Sequence, residues 1–242
     1  MRESERFNCK VKKQGLHGCH AVLVAGGTAD PELIKEISRD VREGESPFLV
    51  GIDAGVLRIE EIGEIPDLVV GDFDSVDPDT GRRIRDTYPN RLILDPVKDD
   101  TDMEAAVRLM IRKGPARVTI LGATGGRLDH TLANLRLLQH FSDAGIPAAL
   151  LDRQNRIRIL TGPERIRISR KDQYGKYISL LPVKGDVEHL SLRGFKYDLE
   201  DGVLPLFSSL GVSNEIVNAE GEIEFPSGYL YLMETRDGIP GE

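Results

Sequence analysis

Asp72 and Asp74 stand two residues apart at the end of a short apolar run, Asp67-Leu-Val-Val-Gly-Asp-Phe-Asp-Ser75. Side chains two apart on an extended segment leave the same face. Both carboxylates can therefore meet one cation, and hard oxygen donors suit Mg2+, an ion usually shared with substrate phosphates. A second acidic cluster follows in Lys98-Asp-Asp-Thr-Asp102, then a glycine-rich turn in Leu121-Gly-Ala-Thr-Gly-Gly-Arg-Leu-Asp-His130. Gly122, Gly125 and Gly126 let backbone amides approach an anion, and the helix that follows adds a favourable dipole. A guanidinium beside such a loop, Arg127, is well suited to phosphate. Carboxylates for a metal and a loop for phosphate point to a nucleotide enzyme. Other readings stay open: aspartates after strands also cap loops, and Asp53 can equally cap the helix after it. Asp72-Phe73-Asp74 is also the Asp-x-Asp pattern of metal-dependent nucleotide-sugar transferases, and a non-catalytic nucleotide sensor needs the same binding groups.

The elements that position these residues follow from periodicity. Residues 21–25 form a continuous apolar run that stops at Gly26-Gly27, as a buried parallel strand does. Asp30-Pro31 opens a helix, with the aspartate as cap and proline at the first helical position. Strands are expected at 48–52, 67–71, 91–94 and 117–121, with a short helix at 56–62. Thr101-x-x-Glu104 is a capping box, and Met103, Ala106, Val107, Met110 and Ile111 form one apolar stripe, so 101–113 reads as a helix. That places Asp102 in a first helical turn, where the dipole favours a carboxylate. Leu128, Thr131, Leu132, Leu135 and Leu138 mark the apolar face of the next helix, with Asp129 and His130 in its first turn.

This alternation gives an α/β domain over 21–152, a parallel sheet with helices on both faces. Ligands in such sheets sit outside the carboxyl ends of the strands, where Asp53, Asp72, Asp74 and 122–127 all fall. From 153 to 242 the pattern turns to short alternating runs separated by Gly, Pro and Asp, which reads as an all-β sandwich. Residues 1–20 read as an N-terminal extension.

The net charge of −8 with no basic run argues against a nucleic-acid partner. No apolar stretch approaches the roughly 20 residues needed to cross a membrane, and the first fifteen residues lack an apolar signal core. Cys9 and Cys19 are too few for a disulfide framework, so a cytoplasmic, reducing location is expected. With His17 and His20 they sketch a zinc site, but at no standard spacing.

Taken in order, Gly71-Asp-Phe-Asp-Ser75, Lys98-Asp-Asp-Thr-Asp102 with Glu104, the turn 121–130 with Asn134, and Gly194-Phe-Lys-Tyr-Asp-Leu199 followed by Gly211-Val-Ser-Asn214 resemble the thiamine pyrophosphokinase family. The resemblance implies an α/β domain for ATP and Mg2+, a β-sandwich that contributes to the thiamine pocket, and a homodimer with sites at the subunit interface. It also implies the reaction, transfer of the pyrophosphoryl group of ATP to the thiamine hydroxyl with release of AMP. Asp72, Asp74 and Asp102 are then the metal residues, and Asp99 supports the site or takes the hydroxyl proton. Asp53, Thr101, Gly122, Thr124, Gly125, Gly126, Arg127, Asp129 and His130 are assigned to the nucleotide, and Tyr197, Ser213 and Asn214 to thiamine, by stacking and hydrogen bonds.

Overall fold

The computed structural model describes residues 6–8, 15–40, 46–95 and 100–238. It divides into two compact units, Met1–Arg153 and Gln154–Glu242. The first contains β1 (Arg6–Asn8), β2 (His20–Val24), α1 (Pro31–Ser38), β3 (Phe48–Ile52), α2 (Gly55–Glu61), β4 (Leu68–Gly71), α3 (Pro78–Thr87), β5 (Arg91–Ile93), α4 (Asp102–Lys113), β6 (Arg117–Leu121), α5 (Leu128–Asp143) and β7 (Ala148–Leu151). Its strands lie in the order β1-β5-β4-β3-β2-β6-β7. All neighbours are parallel except β1, which pairs antiparallel with β5 at the edge.

The chain winds outward from β2 to β5, then returns to place β6 on the other side of β2. Right-handed crossovers that lead in opposite directions put their helices on opposite faces of the sheet. The reversal also opens a crevice between the carboxyl ends of β2 and β6, the usual ligand position in such folds. β2 is buried from Ala21 to Val24, as its apolar run requires.

Local chemistry fixes the helix ends. Asp30 caps α1 by accepting from Glu32 N–H, and Thr101 caps α4 by accepting from Glu104 N–H at 3.2 Å. Gly114 closes α4 in the left-handed conformation. Three elements of this unit lie outside the sequence reading: β1, α3 and β7. α3 carries a clear start signal, since Asp77 accepts from Asp79 and Thr80 N–H and Pro78 takes the first position, but its single buried large apolar side chain, Ile84, leaves almost no periodicity. α5 departs from expectation in another way. Leu137, Leu138 and Phe141 are buried where the helix packs against α4 and β7, whereas Leu128 and Leu132 are 72% and 59% exposed. Periodicity identifies an apolar face, not what covers it.

The second unit is an antiparallel sandwich of β8 (Asn155–Thr161), β9 (Glu164–Ser169), β10 (Tyr177–Pro182), β11 (Val187–Arg193), β12 (Leu199–Leu204), β13 (Asn214–Glu215), β14 (Glu220–Phe225) and β15 (Tyr229–Thr235). One sheet runs β8-β15-β10-β13 and the other β12-β11-β14-β9. Their inner faces enclose Leu160, Ile178, Leu180, Leu190, Ile223, Phe225, Leu230 and Leu232. β12 is absent from the sequence reading because Glu200-Asp201-Gly202 interrupts any apolar alternation on this edge strand, which meets β11 through register shifts.

Candidate active site

The register of β3 on β4 pairs Ile52 with Val70, so the residues that follow these strands are neighbours. Asp53 N–H donates to Val70 C=O at 2.8 Å, and its carboxylate lies within 4.8 Å of those of Asp72 and Asp74, taking one oxygen from each. Asp53 does not cap α2, whose cap is Ala54 with no side-chain bond. Instead its Oδ2 accepts from the Ser75 hydroxyl, and its Oδ1 is buried without a hydrogen-bond partner among the described residues.

Phe73 explains how Asp72 and Asp74 are held. Its backbone is left-handed, at φ 62°, while its ring is 3% exposed among Val56, Val69, Ile84 and Tyr88. Left-handed backbone costs roughly 1–2 kcal/mol, and burying the ring contributes roughly 1.5–3 kcal/mol. Burial wins, and the ring anchors a tight turn in which Asp74 N–H reaches Asp72 Oδ1 at 3.2 Å.

Asp102, expected as a third metal residue, is the first residue of α4 and is not a member of the Asp53, Asp72, Asp74 group. Asp99 lies outside the described residues, as does Cys9. Asp100 pairs with Arg108, which also reaches Glu104 at 3.4 Å. The Thr101 hydroxyl is engaged as the α4 cap.

The β2 and β6 ends meet in the crevice of the sheet. Val24 pairs with Leu121, and the loops beyond them are stitched by Gly27 N–H to Gly122 C=O and Thr28 N–H to Thr124 C=O, both 2.9 Å. A Cβ on Gly27 would lie 2.5 Å from the carbonyl oxygens of Gly122 and Thr124, and Gly122 has φ +64°. Only glycine fits either place. Thr124 Oγ1 donates to Asp152 at 3.0 Å, and Asn134 Nδ2 donates to Ala123 C=O at 2.8 Å. These bonds brace the turn from both sides, while the Cα of Gly126 faces open space.

At the rim, Arg127 grips Asp129 through Nε to Oδ1 at 3.2 Å and Nη2 to Oδ2 at 2.6 Å. The guanidinium holds the Asp129 carboxyl down at about 2. Among the described residues Nη1 has no partner, and the side chain is largely exposed. His130 is exposed in the first turn of α5. The glycine-rich loop after β2 was not picked out in the sequence as part of a site. The signal was Gly26-Gly27 at a strand end, which becomes specific only when β6 is known to be its neighbour.

In the second unit Asn214 is 7% exposed and commits its amide to one loop. Oδ1 accepts from Tyr197 N–H at 3.0 Å and Glu215 N–H at 2.9 Å, and Nδ2 donates to Tyr197 C=O at 2.8 Å. Asn214 therefore braces Tyr197, a residue 63% exposed. Ser213 sits at φ 60°, with its N–H donating to Ser179 Oγ at 2.9 Å. A cavity of about 80 Å³ lies beside them, lined by Leu180, Leu192, Phe195, Tyr197, Leu210 and Asn214. Small-molecule pockets usually exceed about 300 Å³, so this cavity is too small to enclose an aromatic ligand.

The donor set fits a divalent cation. Three carboxylates supply hard oxygens, and a buried acceptor with no partner is costly unless something fills it. Asp53 Oδ1 is such an acceptor.

Comparison with known proteins gives one answer for both units. Residues 43–150 match the family model for the thiamin pyrophosphokinase catalytic domain, and residues 164–230 that for the thiamin pyrophosphokinase vitamin B1 binding domain. The chain is 34% identical over 215 residues to the thiamine pyrophosphokinase of Bacillus subtilis, covering 89% of this chain and 98% of that one. It is 24% identical to thiamin pyrophosphokinase 1 of Caenorhabditis elegans, covering 76% of each. The crystal structure of the Bacillus subtilis enzyme superposes with a TM-score of 0.79 at 32% identity, over 90% of this chain and 100% of that chain. That of the Geobacillus thermodenitrificans thiamin pyrophosphokinase does so with a TM-score of 0.75 at 31% identity, over 90% and 98%.

Proposed function

The chain belongs to the thiamine pyrophosphokinase family, and from this premise we infer that it converts thiamine and ATP to thiamine diphosphate and AMP. The thiamine hydroxyl attacks the β-phosphorus of ATP, the bond from that phosphorus to the oxygen shared with the α-phosphate breaks, and the bridging oxygen leaves with AMP. The hydroxyl proton passes to a carboxylate, a role we assign to Asp99. Catalysis of this kind is chiefly positioning and charge neutralisation.

In this reading 21–152 serves ATP and the metal, and 153–242 serves thiamine. Asp53, Asp72 and Asp74 would hold Mg2+, and Asp102, in the first turn of α4, would support that site. The chemistry such an ion would supply is neutralisation of charge on the phosphate oxygens. Arg127 offers its Nη1 edge to phosphate, with Asp129 fixing its direction, and His130 borders the nucleotide. Gly122, Gly125 and Gly126 bring amides to the phosphates, while Thr124 and Thr101 hold loop shapes. Tyr197 stacks on a thiamine ring, Ser213 hydrogen-bonds it, and Asn214 keeps Tyr197 in place.

We further propose a cytoplasmic homodimer. Tyr197, Phe207, Leu210 and Val212, with Phe207 99% exposed, offer apolar surface that a second copy can bury. No helix among the described residues is long and apolar enough to cross a membrane.

The observation that carries the reading is the carboxylate trio with its unfilled oxygen, in a chain whose two halves match the two domains of one family. A mass-resolved assay with ATP, Mg2+ and thiamine, run beside Asp72→Ala, tests it. Thiamine diphosphate and AMP should appear together and vanish in the variant; turnover of sugar nucleotides, or binding without AMP, would favour the transferase or sensor reading. Neither alternative is supported by a matched relative.

A further inference from the structure

Ser75 closes the acidic motif, yet no role for it follows from its position alone. It is exposed, and its hydroxyl donates to Asp53 Oδ2 across 22 positions of sequence. Asp53 is otherwise held by its backbone, through the N–H bond to Val70 C=O and a left-handed φ of 50°. Neither of those restraints sets the rotation of the carboxylate, because the terminal torsion of aspartate is broad. The Ser75 hydroxyl is what distinguishes its two oxygens: Oδ2 has a donor, and Oδ1 is buried with no hydrogen-bond partner among the described residues.

We propose that Ser75 is a positioning residue for the cation site, fixing the Asp53 carboxylate so that Oδ1 is the oxygen left for a divalent cation shared with Asp72 and Asp74. The inference rests on reading those three aspartates as the metal site. Groups that hydrogen-bond a metal-binding carboxylate orient it and raise affinity without touching the ion, and removing one commonly costs about 10–100-fold in metal affinity. Ser75 is suited to this because its short side chain donates without adding charge to an already acidic loop. Without it, the Asp53 carboxylate turns freely and must be ordered again each time a cation binds.

The test is a titration of the whole protein with Mn2+, without nucleotide, following the paramagnetic resonance of the free ion. Ser75→Ala is expected to weaken binding about tenfold, Ser75→Thr to retain it, and Asp72→Ala to remove it. In kinetics with Mg2+, Ser75→Ala should raise the metal concentration giving half-maximal rate by a similar factor, with kcat at saturating metal little changed. A merely structural role would lower the melting temperature of Ser75→Ala without moving Mn2+ affinity, and that result overturns the proposal. Affinity lost in Asp72→Ala but equal in wild type and Ser75→Ala overturns the role of Ser75 alone. Affinity indifferent to Asp72→Ala overturns the metal reading and the role of Ser75 with it.

Discussion

The two units both gather carboxylates, and they treat them differently. In the sandwich Glu234 is fully buried, yet Arg156 grips it at 2.6 and 2.5 Å, Arg158 approaches at 3.3 Å, and Tyr174 N–H donates to it. Glu222 sits among Arg165, Arg167 and Arg193, which hold its carboxyl down at about 2. In the α/β unit Asp53 is brought close to two further aspartates, given one hydroxyl, and left with a buried oxygen unfilled. Charge answered by arginine is finished by folding; charge left with an open oxygen waits for a ligand.

The largest effect should come from the finished side. Glu234→Ala takes the fully buried carboxylate away from Arg156 and Arg158, whose side chains are 30% and 36% exposed, so solvent at the arginines holds the loss to the lower end of the about 3–5 kcal/mol that breaking a buried ion pair costs. Urea denaturation should register that loss while the Mn2+ affinity of the folded fraction is unchanged. Asp72→Ala should do the opposite, lowering kcat/KM about a hundredfold or more, with a melting temperature little changed, since relief of like-charge repulsion offsets the lost bond from Asp74 N–H. If it unfolds the protein instead, the acidic cluster is structural and the contrast fails.

Asn214→Ala sharpens the contrast within the second unit. It removes three hydrogen bonds to the loop of Tyr197 and the neighbouring Glu215, which should raise KM for thiamine about tenfold, the worth of one or two net hydrogen bonds, and leave KM for ATP unmoved. Adding it to Tyr197→Ala should cost little more, since residues acting through one another are not additive. The smallest effect is in acid. The folded pKa of Glu222 lies below its value in the unfolded chain, so its stabilisation is complete above the ordinary glutamate range near 4.3 and fades as pH falls toward 2. Thermal melts of Glu222→Gln should lack that portion of the acid decline.

The acidic motif, the Thr101 cap of α4 and the short alternating runs of the sandwich were legible because each is written in neighbouring residues. What was not legible depends on partners far away in sequence. That Asp53 shares the carboxylate group of Asp72 and Asp74, beyond facing the same crevice, follows only from the one register in which β3 and β4 pair. Gly26-Gly27 matters only because β6 returns beside β2. Asn214 looked like a substrate donor, and the fold spends its amide on Tyr197, seventeen positions away. α3 hid because it buries so little, and β12 because an exposed edge strand has no need of apolar alternation.

Phe73 makes the acidic turn and α3 parts of one mechanical system. Its ring packs with Ile84 and Tyr88, and a Cβ added at Gly81 in α3 would meet its carbonyl oxygen at 3.2 Å. Opening of α3 must therefore release the turn that carries Asp72 and Asp74. By linkage, a cation that favours the closed turn favours the closed helix to the same degree. Amide protons of α3, which lie in no contact with the ion, should then exchange more slowly with solvent when it binds. Heat or denaturant that loosens this outer helix would be felt first as a loss of metal, well before the sheet gives way.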